Sequence, residues 1–205
     1  ASSVKACLFT GTINGGDAVG GMVAEAGSGE AIQHCHVDAT LHGTNTIGGV
    51  IAYSQRAPIA NCYVEGNLVL SDKALVGKVG GVIGNLELDE MGNGPIVLAN
   101  CLIGIELITL PIDSVYAHRV IGFSAGDKYN YFEQKYEMPE TKIQGCYILS
   151  DLAAVDTSIQ LTDTTTEGAN LSAVELTTEW LSQHGFALGT TIDTPWSLSK
   201  TLGLW

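Results

Sequence analysis

The chain has 205 residues, 45% hydrophobic and only 15% charged, which suits one substantial buried core and argues against disorder. Nine Lys+Arg against 22 Asp+Glu give a net charge of -13, a field that disfavours nucleic acid and anionic membrane as partners. The longest apolar stretch, Ile96 to Leu110, contains Asn100 and Glu106 and is too short and too polar for a membrane helix, so the chain is not expected to be membrane-embedded.

The first element opens at Val4-x-x-Cys7. A turn at Asn14-Gly15-Gly16 leads to Val19-Gly20-Gly21-Met22-Val23, and Gly27-Ser28-Gly29 turns the chain again. The same order then recurs. Ile32-x-x-Cys35 precedes a strand pattern at Val37–Leu41, a turn at His42–Asn45, and Ile47-Gly48-Gly49-Val50-Ile51. Ile59-x-x-Cys62 precedes Val64–Leu70 and Val79-Gly80-Gly81-Val82-Ile83. Leu98-x-x-Cys101 is followed by Val120-Ile121-Gly122-Phe123, read as a degraded copy with Ile121 at a glycine position, and Ile143-x-x-Cys146 closes the series.

Cysteine-to-cysteine spacings of 28, 27, 39 and 45 residues define a coil of about 27 residues that later swells between its fixed motifs. Strands and glycine turns in strict alternation predict an all-β fold, a parallel β-helix (solenoid) of about four to five coils. Leucine-rich repeats have a similar period, but their leucine signature is missing. The glycine pairs suit close approach of neighbouring coils; no Gly-Lys-Ser/Thr follows them, so they do not read as phosphate loops. Five cysteines cannot pair completely and fit no zinc spacing. In-register Cβ atoms would point the same way, outside the preferred disulfide geometry, so a column of free, buried thiols is expected.

Residues 1–155 are read as the β-helix repeats and 156–205 as connector, capping helix and closing segment of the same domain, with 156–170, rich in Thr and Asp, read as a solvent-exposed connector. Ser172-Ala173-Val174-Glu175 reads as a capping box and Gly185 as a helix stop. Ala173, Leu176, Trp180 and His184 share a helical face between them, which suits a short helix that caps the open end of the solenoid.

Val-Gly-Gly-(Val/Met)-(Ile/Val) followed by aliphatic-x-(Asn/His)-Cys resembles the GLUG repeats of bacterial surface proteins. Leu188-Gly189, Trp196 and Leu202-Gly203-Leu204-Trp205 are similar to the closing stretch of that family. The resemblance implies a right-handed β-helix in an exported, adhesin-like bacterial protein at the cell surface or outside the cell. Similar repeats accompany some IgA-cleaving metallopeptidases, so a non-catalytic region beside a peptidase is a further expectation. The chain shows no signal segment at Ala1 and is read as an excised or mature piece with more protein upstream.

The residues that suggest function lie in the swollen coils. Ser124–Thr141 holds Tyr129, Tyr131, Phe132 and Tyr136 with Asp127, Glu133 and Glu137; Asn85–Pro95 holds Glu87, Asp89 and Glu90. Equivalent arcs of neighbouring coils are adjacent in a solenoid, so the two insertions are expected to form one projection. Tyr129, Tyr131 and Tyr136 are the expected ligand contacts, with Asp89 and Glu133 as polar partners, and a host or cell-surface glycan or protein as ligand. The competing reading is that these aromatics pack on the wall as a private core. Glu87, Asp89, Glu90 and Asn93 lack the ordered spacing of a calcium loop. His34 and His36 flank Cys35 on what reads as one strand face, with no third ligand in view. No metal or cofactor is therefore expected. A carbohydrate-active β-helix enzyme, glycosidase or lyase, is the alternative to a binding module. It needs paired carboxylates or a basic residue in a groove, and nothing in the spacing selects Glu106, Asp113, Arg56 or Arg119 for that work.

Overall fold

The computed structural model describes residues 2–71, 76–87, 96–109, 115–125, 128–130, 135–137, 141–149, 168–172 and 175–186. Each repeat contributes four strands, one to each of four walls. The first coil supplies β1 (Ser3–Lys5), β2 (Leu8–Asn14), β3 (Ala18–Gly20) and β4 (Val23–Ala26). The second supplies β5 (Ala31–Gln33), β6 (His36–Gly43), β7 (Thr46–Gly48) and β8 (Ile51–Ser54). The third supplies β9 (Ile59–Ala60), β10 (Tyr63–Leu70), β11 (Gly77–Gly80) and β12 (Ile83–Glu87). The fourth supplies β13 (Ile96–Ala99), β14 (Leu102–Thr109), β15 (Val115–His118) and β16 (Ile121–Ala125). A short pair, β17 (Lys128–Asn130) and β18 (Lys135–Glu137), comes next. Then follow β19 (Thr141–Gln144), β20 (Tyr147–Leu149), β21 (Ala169–Leu171) and the helix α1 (Thr178–Gln183).

Like strands pair in parallel from coil to coil. Sheet A runs β1-β5-β9-β13-β19, sheet B β2-β6-β10-β14-β20-β21, sheet C β15-β11-β7-β3 and sheet D β16-β12-β8-β4. This is a right-handed parallel β-helix. One core runs down its axis, built from inward columns such as Val37, Val64, Ile103 and Ile148 on sheet B, or Val19, Ile47, Val79 and Ala117 on sheet C. Alternation along each strand places these residues inside and their neighbours outside.

The cysteine motif is a corner. In each of the first four copies the residue before the cysteine is left-handed: Ala6 at φ 52°, His34 at 55°, Asn61 at 53° and Asn100 at 51°; Gly145 takes the same place at 66°. Asparagine and glycine tolerate that conformation best. The thiols of Cys35, Cys62 and Cys101 then turn inward and point back at the carbonyl two residues earlier. Cys35 Sγ lies 3.2 Å from Gln33 O, Cys62 Sγ 3.4 Å from Ala60 O and Cys101 Sγ 3.5 Å from Ala99 O. Cysteine is favoured here because it is small, apolar and still a weak donor. The backbone locks the corners together: Tyr63 N–H donates to Cys35 O at 2.9 Å, Leu102 N–H to Cys62 O at 2.9 Å and Tyr147 N–H to Cys101 O at 2.8 Å.

All five cysteines are free thiols, but they are not equally enclosed. Cys35, Cys62, Cys101 and Cys146 are buried, whereas Cys7 is exposed. Cys7 belongs to the coil whose strands β1 to β4 form the outer edge of all four sheets, so the column covers it on one side only. This corrects the expectation of five equally buried thiols. Burial shuts Cys35, Cys62, Cys101 and Cys146 away from water and reagent, which keeps them inert. Alkylation of the folded protein with iodoacetamide should therefore modify Cys7 alone, and denaturant should release the other four. Labelling of any second cysteine before unfolding would contradict the column.

Three further expectations are corrected. Register pairs Val79 with Ala117, Gly80 with His118 and Ile83 with Ile121, and Gly81 N–H donates to Arg119 O. The fourth copy of the glycine motif is thus Ala117-His118-Arg119-Val120-Ile121, and the glycine pair is replaced by His118-Arg119 rather than by Ile121. Second, the end of the Thr- and Asp-rich connector is structured: β21 adds to β20, with Tyr147 opposite Ala169. Third, the helix starts later than the capping box. Ser172 and Glu175 make one arm of such a box, Ser172 N–H donating to Glu175 Oε2 at 3.1 Å, while Glu175 N–H donates to the Ser172 backbone carbonyl at 2.9 Å. They close a turn, and α1 is capped instead by Thr177, whose hydroxyl accepts from Trp180 N–H at 3.0 Å.

The stop signal at Gly185 acts as read from the sequence. Gly185 has φ +82°, Phe186 N–H donates to Leu181 O at 3.0 Å and Gly185 N–H to Ser182 O at 3.4 Å, the paired bonds of a Schellman stop. The helix covers a wall rather than the mouth of the solenoid. Leu181 and Phe186 are buried against Tyr63, Leu102, Leu149 and Leu171, outward residues of sheet B, in a second core separate from the axial one. Trp180 stacks on His184 at 3.9 Å and meets Tyr147 edge-on at 4.7 Å. Trp196 and Trp205 lie outside the described residues.

Candidate functional site

Both insertions leave and rejoin the solenoid at one corner. Glu87 at the end of β12 pairs with Ala125 at the end of β16, and Ile96 at the start of β13 pairs with Thr141 at the start of β19. The added chain in coils three and four therefore springs from neighbouring strands of sheet D and returns to neighbouring strands of sheet A. The regular strands extend further than the sequence reading allowed, so the insertions proper span 88–95 and 126–140. Within the second, β17 and β18 pair antiparallel, and Tyr129 is the register partner of Tyr136. These two predicted residues are thus opposite one another in backbone register. Tyr131, Glu133 and Asp89 lie outside the described residues.

The same coils carry an aromatic cluster that the sequence reading missed. On sheet C, Ile47, Val79 and Ala117 enter the core, so Thr46, Lys78 and Tyr116 face outward in register. On sheet D, Tyr53, Asn85 and Phe123 form the matching outward column. The two sheets meet at a sharp crease made possible by glycine. A Cβ on Gly48 would lie 1.8 Å from Ile51 O, and one on Gly84 2.7 Å from Ile47 O, so no side chain separates the backbones there. Across this crease Thr46 Oγ1 bonds Tyr53 Oη at 3.1 Å. One coil further, the Lys78 ammonium stands 4.3 Å above the Phe123 ring, and Tyr116 contacts the same ring at 4.7 Å with a 56° tilt.

This cluster adjoins the insertion roots. Phe123 lies on β16 two residues before Ala125, and Asn85 Nδ2 donates to Glu87 Oε1 at 2.9 Å where the first insertion departs. Asn85 is fully buried and its Oδ1 has no hydrogen-bond partner among the described residues. Tyr116 is 49% exposed; it and Val76, two residues before Lys78, are two of the three exposed large apolar residues among those described. Signals for this site existed in the sequence, but they became visible only once His118-Arg119 was aligned with Gly80-Gly81, which sets Tyr116 beside Lys78.

A second polar cluster sits on sheet B. Tyr63 donates its hydroxyl to Glu65 Oε2 at 2.9 Å, His36 Nε2 is 2.8 Å from Glu65 Oε1, and the His36 and Tyr63 rings stack at 4.7 Å. Burial works against the Glu65 carboxylate, but the hydrogen bonds from His36 and Tyr63 outweigh it and hold its carboxyl below the usual range. Burial, reinforced by the Glu65 charge, pushes the Tyr63 phenol up. The trio joins coils two and three through one carboxylate that both partners share. His34 and His36 do not share a strand face as expected: His34 is the left-handed corner residue, and His36 opens β6 and turns to Glu65. Among the described residues no three His, Cys, Asp or Glu side chains are grouped to hold a metal. No helix among them is long and apolar enough to cross a membrane.

No family model matches the chain, and no curated protein and no solved structure matches it.

Proposed function

We propose that this solenoid is a non-catalytic binding or adhesion module and that its contact surface is the flank of coils three and four. The observation that carries the reading is the shared corner of the two insertions. The turn from sheet D to sheet A needs only residues 27–30 in the first coil and 55–58 in the second. Ordering a longer excursion costs about 1–2 kcal/mol per residue in backbone entropy, so length that the core does not require points to a use outside the core. The repeat motif and the Leu-Gly and Trp closing stretch support a place among GLUG-repeat bacterial surface proteins. An exported protein, exposed at the cell surface to a host or cell-surface glycan or protein, follows from that placement.

The test is to shorten 88–95 and 126–140 to the four-residue turn of the first coil, singly and together. Each variant is then screened against immobilised glycans and extracellular-matrix proteins. The trimmed proteins should keep their circular dichroism and cooperative melt and lose the ligand that the parent binds. Full binding by the double variant would place the site elsewhere. Appearance of new reducing or unsaturated ends in a bound glycan would establish the carbohydrate-active enzyme instead.

A further inference from the structure

We infer that the outward patch of Val76, Lys78, Tyr116 and Phe123 is a platform for a neutral glycan, with Glu87 at its edge. This rests on the binding reading above and gives it a ligand class and a place. The rings supply the first reason. Tyr116 leaves about half its surface in water, and Phe123 holds it at a fixed tilt while Lys78 pins Phe123 from above. A ring fixed in this way loses little freedom when a ligand covers it, and it presents a flat apolar face with a polar tip. The C–H face of a pyranose matches such a surface, and its hydroxyls need donors and acceptors at the rim.

The rim provides them. Glu87 is exposed, and the buried Asn85 holds its carboxylate in place by donating Nδ2 to Oε1. Lys78 adds a donor. Few polar groups around an apolar floor is the usual composition of a small-ligand site. Charge selects among glycans: at a net charge of -13 the protein repels polyuronates and sulfated chains, and the patch of Val76, Lys78, Tyr116 and Phe123 holds a single cation. Position supplies the last reason. Residues 72–75 and 110–114 precede the sheet C strands that carry Lys78 and Tyr116, while 88–95 and 126–140 follow the sheet D strands that carry Asn85 and Phe123. The corners on both sides of the platform are thus longer in coils three and four than in coil two.

The experiment is titration calorimetry of the intact protein with cellohexaose, laminarihexaose, mannohexaose and chitohexaose, with polygalacturonate as the anionic comparison. At least one neutral oligosaccharide should bind. Tyr116→Ala should weaken it tenfold or more at an unchanged melting temperature, and Tyr116→Phe should bind within about threefold of the parent. Three results would overturn the inference: no neutral oligosaccharide bound at millimolar concentration, equal binding by Tyr116→Ala, or preference for polygalacturonate. If the oligosaccharides fail while a matrix protein binds and is lost on trimming the insertions, the module reading stands and the glycan class falls. If an oligosaccharide binds through Tyr116 and trimming leaves it bound, the platform stands and the insertions are not the contact surface.

Discussion

Replacing Gly49 by alanine should abolish or severely weaken the fold, lowering stability by about 3 kcal/mol or more, beyond the usual range for overpacking a core. A Cβ at Gly49 would fall 2.0 Å from Gly81 O and 2.5 Å from Val64 Cγ1. The first of these neighbours is backbone of the next coil, held there because Gly49 N–H donates to Gly80 O at 3.0 Å and Gly81 N–H to Arg119 O at 3.1 Å. It has no rotamer through which to yield. The coils would have to separate, and separation breaks ladder hydrogen bonds in more than one sheet. Gly16→Ala is the matched comparison, since nothing lies within 4 Å of its Cβ position. It should leave stability within about 0.5 kcal/mol, as for other surface substitutions. Guanidinium unfolding followed by circular dichroism measures both. Equal midpoints for Gly49→Ala and the parent would show that the coils do not approach as described.

The same glycines explain why the architecture was legible and the site was not. A repeat repeats because each coil faces the same neighbours, so Gly21, Gly49 and Gly81 recur wherever another coil lies above, and the left-handed corner recurs before every cysteine. Physical demands of that kind write themselves into sequence at fixed phase. Arg119 escapes the pattern because no further strand of sheet C or D lies beyond β15 and β16 among the described residues. Its departure from glycine misled the alignment of the fourth copy, and with it the position of Tyr116. The Lys78–Tyr116–Phe123 cluster draws on three strands of two sheets, and no local spacing in the chain joins those residues. Tyr129, Tyr131 and Tyr136 were readable as a group because of the excess length around them, but the register of Tyr129 against Tyr136 was not legible from spacing. The helix was readable at Gly185, where φ is positive, but not at its start. Ser172–Glu175 and Thr177 are competing caps, and tertiary packing of Leu181 against sheet B favours the second.

Replacing Arg119 by glycine should restore the repeat consensus and yet destabilise the protein by about 1–3 kcal/mol, the cost of leaving the buried Gly168 carbonyl unpaired, while the exposed Asn170 amide can turn to water. Arg119 is 4% exposed. Its Nη2 donates to Gly168 O at 3.1 Å and its Nη1 to Asn170 Oδ1, which ties the corner between sheets C and D to β21 at the last position of sheet B. The guanidinium therefore does at the end of the solenoid what a further coil does elsewhere: it satisfies a backbone carbonyl that would otherwise face an open core. A repeat-consensus argument predicts the opposite, that glycine is neutral or better here. The effect should also be local. Hydrogen exchange should quicken at Ala169–Leu171, which loses its anchor, and at Leu181 and Phe186, which pack on Leu171, while Ile47 and Val79 keep their protection. Arg119→Met separates volume from hydrogen bonding and should recover only part of the loss. If Arg119→Gly matches the parent in both melting temperature and exchange, the solenoid ends without help from this residue, and the departure from the repeat has no structural purpose.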